Sequence, residues 1–175
     1  MKYILKIFNF IIVFIILSIS FIYAHPHLFI ESNPTFVFKE NKFACVQIQW
    51  IWDELFSDAI LMDCDKNNDL EFDKEEINSV YKDCFIYIQE YDFFTILEIN
   101  SNKIEYDVTD FTATIDKKTR KVTYYFNFRP KKVPSKIKQI TLIQNDPTIY
   151  TSFRSKDKNA KEYEYYGIQF EMEVE

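Results

Sequence analysis

The sequence predicts an α+β fold: an antiparallel β-sandwich interrupted near its start by a helical hairpin. Three observations carry this. Long stretches before residue 51 and after residue 92 alternate apolar and polar with period two, the pattern of half-buried strands. Between them, apolar residues recur at helical spacing. The chain has 175 residues, 47% of them hydrophobic and 18% aromatic, enough to build one core without disulfide staples.

The elements follow in order. Residues 1–24 (MKYILKIFNFIIVFIILSISFIYA) carry Lys2 and Lys6 ahead of an uncharged apolar run that ends at Ala24, the layout of a signal peptide. Ile22 stands where a small residue is preferred, so an uncleaved anchor is the rival reading. Cleavage after Ala24 leaves residues 25–175 as a single exported domain, expected in the periplasm. It removes two lysines and takes the net charge from -6 to -8.

From Leu28 to Trp50, alternation about the polar break Lys39-Glu40-Asn41-Lys42 predicts a β-hairpin. An inserted helical hairpin is expected over 51–91. Its first helix is marked by Trp52, Leu55, Phe56, Ala59 and Ile60, and its second by Ile77, Val80, Tyr81, Cys84, Phe85 and Ile88. Beyond Asp92, strands are predicted around 95–99, 104–108, 111–115, 122–128, 137–143, 149–153 and 165–174. Cys45, Cys64 and Cys84 are odd in number and lie in apolar patterns, which favours core packing over metal ligation. The sequence permits a Cys64–Cys84 bridge without supporting it.

Composition narrows function. An acidic chain with pI about 5.1 has the wrong sign for binding nucleic acid. A single glycine, Gly167, excludes glycine-rich phosphate loops, so nucleotide binding is not expected. With only two histidines, a catalytic triad or a three-histidine zinc enzyme lacks its parts.

Two motifs carry chemistry. Residues 65–76, DKNNDLEFDKEE, place oxygen-bearing side chains (Asp65, Asn67, Asp69, Asp73, Glu76) at positions 1, 3, 5, 9 and 12 of an EF-hand-like loop, with Glu71 at position 7 and Phe72 at the apolar position 8. A hard cation such as Ca²⁺ needs six or more oxygens converging on one point, and alternate residues of a tight loop supply them. Position 6 calls for glycine, whereas this chain has Leu70, and left-handed leucine costs about 1–2 kcal/mol. Weak binding survives such a cost, because extracellular calcium modules work at Kd about 10⁻⁴–10⁻³ M. In the plainer reading, Asp73 caps the second helix and Glu76 completes a capping box.

The second motif is His25-Pro26-His27, which becomes the mature N-terminus if cleavage follows Ala24. The α-amine and both imidazoles are borderline ligands that suit Zn²⁺, Ni²⁺ or Cu²⁺ rather than Ca²⁺. Pro26 has no N–H, which precludes a square-planar site built on deprotonated backbone amides. The plainer reading makes His27 a half-buried strand residue. A copper oxygenase site is disfavoured, because two histidines this close in sequence can hardly span T-shaped copper.

HPHLFI after Ala24, WIWDELFS, DKNNDLEFDKEE, YDFFT and QNDPTIYTSF together resemble a bacterial periplasmic family described as the periplasmic component of an uncharacterised ABC-type transport system, which includes the ZevA-type zinc-uptake accessory proteins. The resemblance spans nearly all of the mature chain. It implies a role beside an inner-membrane permease for zinc, nickel or cobalt, and no enzyme. His25 and His27 match the family's opening HPH, Asp65, Asn67, Asp69 and Glu76 its aspartate-rich loop, and Tyr150 its DPxYY stretch. Leu70 departs from the family's usual glycine.

The expected function is therefore that of a periplasmic accessory protein that captures a divalent transition metal (Zn, Ni or Co) for a permease, with calcium in the loop. An exported protein-interaction adaptor is the alternative. It would use surplus aromatics such as Tyr163, Tyr165 and Tyr166, which the composition bias of an AT-rich genome explains equally well.

Overall fold

Residues 27–174 are described by a computed structural model; His25 and the expected signal segment 1–24 lie outside them. The chain opens with β1 (Leu28–Lys39) and β2 (Lys42–Trp52), antiparallel partners joined through Glu40 and Asn41. Both turn residues have left-handed φ (50° and 61°), as the mirror-image turns that suit strand twist require. Next come helix α1 (Glu54–Cys64), the loop 65–73 and the short helix α2 (Lys74–Ser79). The helical path then widens to a π-helical turn, Val80–Phe85, and tightens to 3-10 geometry over Ile86–Phe94.

The remaining strands are β3 (Thr95–Ile99), β4 (Asn102–Lys103), β5 (Tyr106–Ile115), β6 (Val122–Pro130), β7 (Gln139–Gln144), β8 (Thr151–Arg154), β9 (Lys161–Tyr163) and β10 (Gly167–Glu173). They form two five-stranded sheets, ordered β5-β6-β2-β1-β8 and β4-β3-β7-β10-β9. All pairings are antiparallel except β1 with β8, which is parallel. Among the described residues no helix is long and apolar enough to cross a membrane.

One apolar core draws on both sheets and on the helical segment. Trp50, Tyr124, Phe126 and Phe128 come from the first sheet, Leu97, Ile99, Ile140 and Leu142 from the second, and Ile60, Val80 and Phe85 from between β2 and β3. Alternation on β2 and β6 places large side chains on this face, and Trp50 meets Phe126 edge-on at 4.9 Å.

Several expectations need correction. The second helix is not one amphipathic α-helix: only Lys74–Ser79 is α-helical, and the turn widens where Val80 and Phe85, five residues apart, are both fully buried. The first helix buries Ser57, Ile60, Leu61 and Cys64, leaves Leu55 72% exposed, and yields Trp52 to β2. The strands expected at 104–108 and 111–115 are one strand, β5, whose register shifts between Thr109 and Thr112. Asp110 sits there at φ 57°, its carboxylate accepting a bond from Asn127 Nδ2 at 2.7 Å. This irregularity explains the change of phase between Val108 and Phe111.

Asp53 anchors the helical segment. Its Oδ1 accepts from Phe56 N (2.9 Å), capping α1, and its Oδ2 accepts from Phe29 N (2.6 Å), tying the cap to β1. Buried Ser57 adds a tie to β6 by accepting from Val122 N at 2.9 Å. Asp53→Ala removes both carboxylate bonds and is expected to lower stability by about 2 kcal/mol, read as a drop in urea midpoint with unchanged slope.

Candidate cation site

The loop after α1 turns sharply through two left-handed residues, Asn68 (φ 58°) and Leu70 (φ 60°). The position where the pattern wants glycine thus adopts the conformation glycine would take, with leucine in place. Half-buried Leu70 packs against the core, and Phe72, two residues on, is buried in it. That apolar contact offsets the left-handed strain of about 1–2 kcal/mol.

Hydrogen bonds inside the loop set its shape. Leu70 N donates to Asp65 Oδ2 at 3.2 Å, Asp69 N to Asn67 Oδ1 at 2.9 Å, and Glu71 N to Asp69 Oδ1 at 2.9 Å. Asn67 Nδ2 also donates to Asp69 Oδ2 at 3.0 Å. Asp65 is 4% exposed and Glu76 5%, whereas Asn67, Asp69, Glu71 and Asp73 are exposed.

The plainer reading is present in full at the loop's end. Asp73 Oδ1 accepts from Glu75 N and Glu76 N, and Glu76 Oε2 accepts from Asp73 N at 3.0 Å, a complete capping box. Glu76 Oε1 accepts from Lys66 N at 2.9 Å, so this carboxylate also holds the loop's entrance to its exit. Glu71 turns outward to Lys117 Nζ at 2.8 Å, and this bond holds its carboxyl below the ordinary value.

One atom is left over. Asp65 Oδ1 is buried without a hydrogen-bond partner, on a carboxylate whose other oxygen faces into the loop. A buried carboxylate oxygen without a donor costs about 1–3 kcal/mol or more, and a cation would remove that cost. Among the described residues, no three His, Cys, Asp or Glu side chains are drawn together as in a formed metal shell. The reason lies in the bonds above: Asp73 and Glu76 serve the helix end and Glu71 serves Lys117. Asn67 Oδ1 and both Asp69 oxygens already accept bonds within the loop, so Asp65 Oδ1 is the buried oxygen open to a cation, and Asn67, Asp69 and Glu76 would have to shift toward it.

His27 stands elsewhere. It is exposed at the start of β1, its N–H donates to Tyr150 O at 2.8 Å, and its ring lies 4.9 Å from that of Tyr150. Asp53 joins β1 at Phe29, and α1, about 16 Å long, separates Asp53 from Asp65, so the loop and His27 form separate places. Nearby Asp146 offers no free carboxylate, because it accepts from Thr148 N, Thr148 Oγ1 and Thr151 N.

Sequence reasoning did not foresee the Lys117 contact, which comes from the β5–β6 turn and has no local signature. The cysteines are packed as free thiols, Cys45 and Cys64 buried and Cys84 half-buried. Cys64 and Cys84 lie sulfur to sulfur at 3.9 Å, both unbridged. Burial, together with the neighbouring Cys64, pushes the Cys84 thiol up to about 12.

With this geometry established, the chain can be placed. A two-sheet α+β body carrying a helix-flanked acidic loop is the architecture, and the chain belongs to the DUF1007 family of proteins of unknown function, whose model matches residues 10–173. An uncharacterised protein of Haemophilus influenzae is 27% identical over 150 residues, spanning 84% of this chain and 71% of that protein. No solved structure matches the chain.

Proposed function

We propose that this protein is an exported metal-binding accessory protein. Its EF-hand-like loop, 65–76, holds a hard divalent cation, with Ca²⁺ the best fit. Its mature N-terminus captures zinc, nickel or cobalt for an inner-membrane permease. The observation that carries the cation reading is the buried, unpartnered Asp65 Oδ1 beside a Leu70 held in the left-handed conformation of a cation loop. Asp65, Asn67, Asp69 and Glu76 would hold the ion, with Glu71 contributing its backbone carbonyl. Occupancy would lock the entrance of α2 to the end of α1.

Capture of a transition metal is supported by the exposed imidazole of His27, two residues from the α-amine that cleavage after Ala24 would create. Export and the permease are supported by the signal-like segment 1–24 and by the resemblance of HPHLFI, WIWDELFS and QNDPTIYTSF to the transport-associated periplasmic proteins. The acidic surface would concentrate cations, and it equally maintains solubility.

Zinc titration of the protein purified from periplasm tests the capture step. The His25→Ala/His27→Ala variant is expected to lose zinc binding while its thermal midpoint without metal stays unchanged. Equal zinc affinity in both proteins would contradict N-terminal capture. The adaptor reading draws on the exposed Leu55, Met62 and Tyr87 of the helical segment. It gains if partner recovery survives the double substitution without metal.

A further inference from the structure

Cys64 ends α1 one residue before Asp65, and Cys84 stands in the π-helical turn beyond α2. The two sulfurs are in van der Waals contact at 3.9 Å, brought there by the packing of α1 against the turn. Cys45, by contrast, lies buried on β2 as a packed thiol. Such a sulfur contact is the starting geometry for a bridge, and an exported chain meets an oxidising compartment.

We propose that Cys64 and Cys84 form a disulfide that brackets the cation loop and tightens its hold on calcium. The second half of this proposal rests on the reading of loop 65–76 given above. A disulfide of the thiol-oxidase or glutathione class is the oxidant. Half-exposed Cys84, after giving its proton to solvent base against its raised pKa, attacks one sulfur of that disulfide, forms a mixed disulfide and expels the first thiolate. Cys64, once deprotonated, attacks the Cys84 sulfur and expels the second. Two protein S–H bonds become one S–S bond, while the two electrons and two protons end on the oxidant as two thiols.

The cross-link spans a separation of 20 residues and encloses the whole loop with α2. It removes open conformations of the cation-free loop, so less ordering remains for the ion to impose. Linkage makes the effect reciprocal: bound calcium renders the disulfide harder to reduce.

The test treats the reduced full-length protein with oxidised glutathione, maps peptides without reductant, and titrates calcium into the reduced and oxidised forms. The expected product is two hydrogens lighter, with Cys64 and Cys84 in one cross-linked peptide. The same product is expected from Cys45→Ser, and none from Cys84→Ser. The oxidised form is expected to bind calcium about three- to tenfold tighter. Glutathione left on Cys84 without closure, or a bridge through Cys45, would overturn the pair. Closure with unchanged calcium affinity would overturn the coupling. Closure with no calcium binding in either form would overturn the loop reading and leave the disulfide standing.

Discussion

Phe85→Ala is expected to cost about 3–5 kcal/mol of stability and to loosen the helical segment from the sheets. Phe85 is fully buried, and its ring lies 4.4 Å from Phe111, 4.9 Å from Phe126, 5.2 Å from Phe93 and 5.9 Å from Tyr124. It is the point where the π-helical turn meets β5 and β6. Truncation leaves a cavity walled by other rings, which cannot collapse cheaply because each is held by its own strand or turn. Urea unfolding checks the magnitude, and Phe85→Leu, which keeps much of the volume, is expected to lose less than half as much. A loss below about 1 kcal/mol for the alanine variant would show that the segment is not docked as described.

The second large effect concerns the cation. Asp65→Asn and Glu76→Gln are each expected to weaken calcium binding about a hundredfold, or about 2.8 kcal/mol. Without calcium the two should behave differently from a generic core lesion. In Asp65→Asn the amide oxygen can still accept from Leu70 N, and no partner of Oδ1 is lost, because it has none. In Glu76→Gln the amide oxygen can replace only one of the two acceptor oxygens that now serve Lys66 N and Asp73 N. Thermal unfolding with and without calcium separates these outcomes. Asp65→Asn should unfold near the wild-type midpoint without calcium and fail to gain from its addition. A calcium-induced rise equal to that of the wild type would remove Asp65 from the site.

Much of this fold is legible in local sequence. The β1–β2 hairpin and the strands of β3, β6, β7, β8 and β10 follow from periodicity, whereas the start of α1 at Asp53 does not, since the apolar pattern places Trp52 in the helix. What periodicity cannot carry is partnership. The parallel pairing of Leu28–Glu31 with Thr151–Arg154 joins segments more than a hundred residues apart. The fusion of two expected strands into β5 depends on Asp110 taking left-handed φ against Asn127, a residue on the neighbouring strand. The helix after Asp73 departs from α geometry because the buried faces of Val80 and Phe85 answer to the sheets, not to their own turn.

The candidate site divides the same way. Ligand spacing in 65–76, the apolar Phe72 and the capping pair Asp73–Glu76 are visible in the sequence, as is the conflict at Leu70. The structure shows leucine in the left-handed conformation, so the turn forms despite the missing glycine. The burial of Asp65, the outward pull of Lys117 on Glu71 and the meeting of Cys64 with Cys84 arise from tertiary packing, and no local pattern announces them.

The most direct measurement is an NMR calcium titration of the backbone amides, following Leu70 N–H, which donates to Asp65 Oδ2. Saturable shifts confined to residues 65–76 and their flanks are expected, led by Leu70, with Kd about 10⁻⁴–10⁻³ M and no such response in Glu76→Gln. An unperturbed Leu70 amide at millimolar calcium, or identical shifts in Glu76→Gln, would contradict calcium binding by the loop and reduce it to a solvated capping turn.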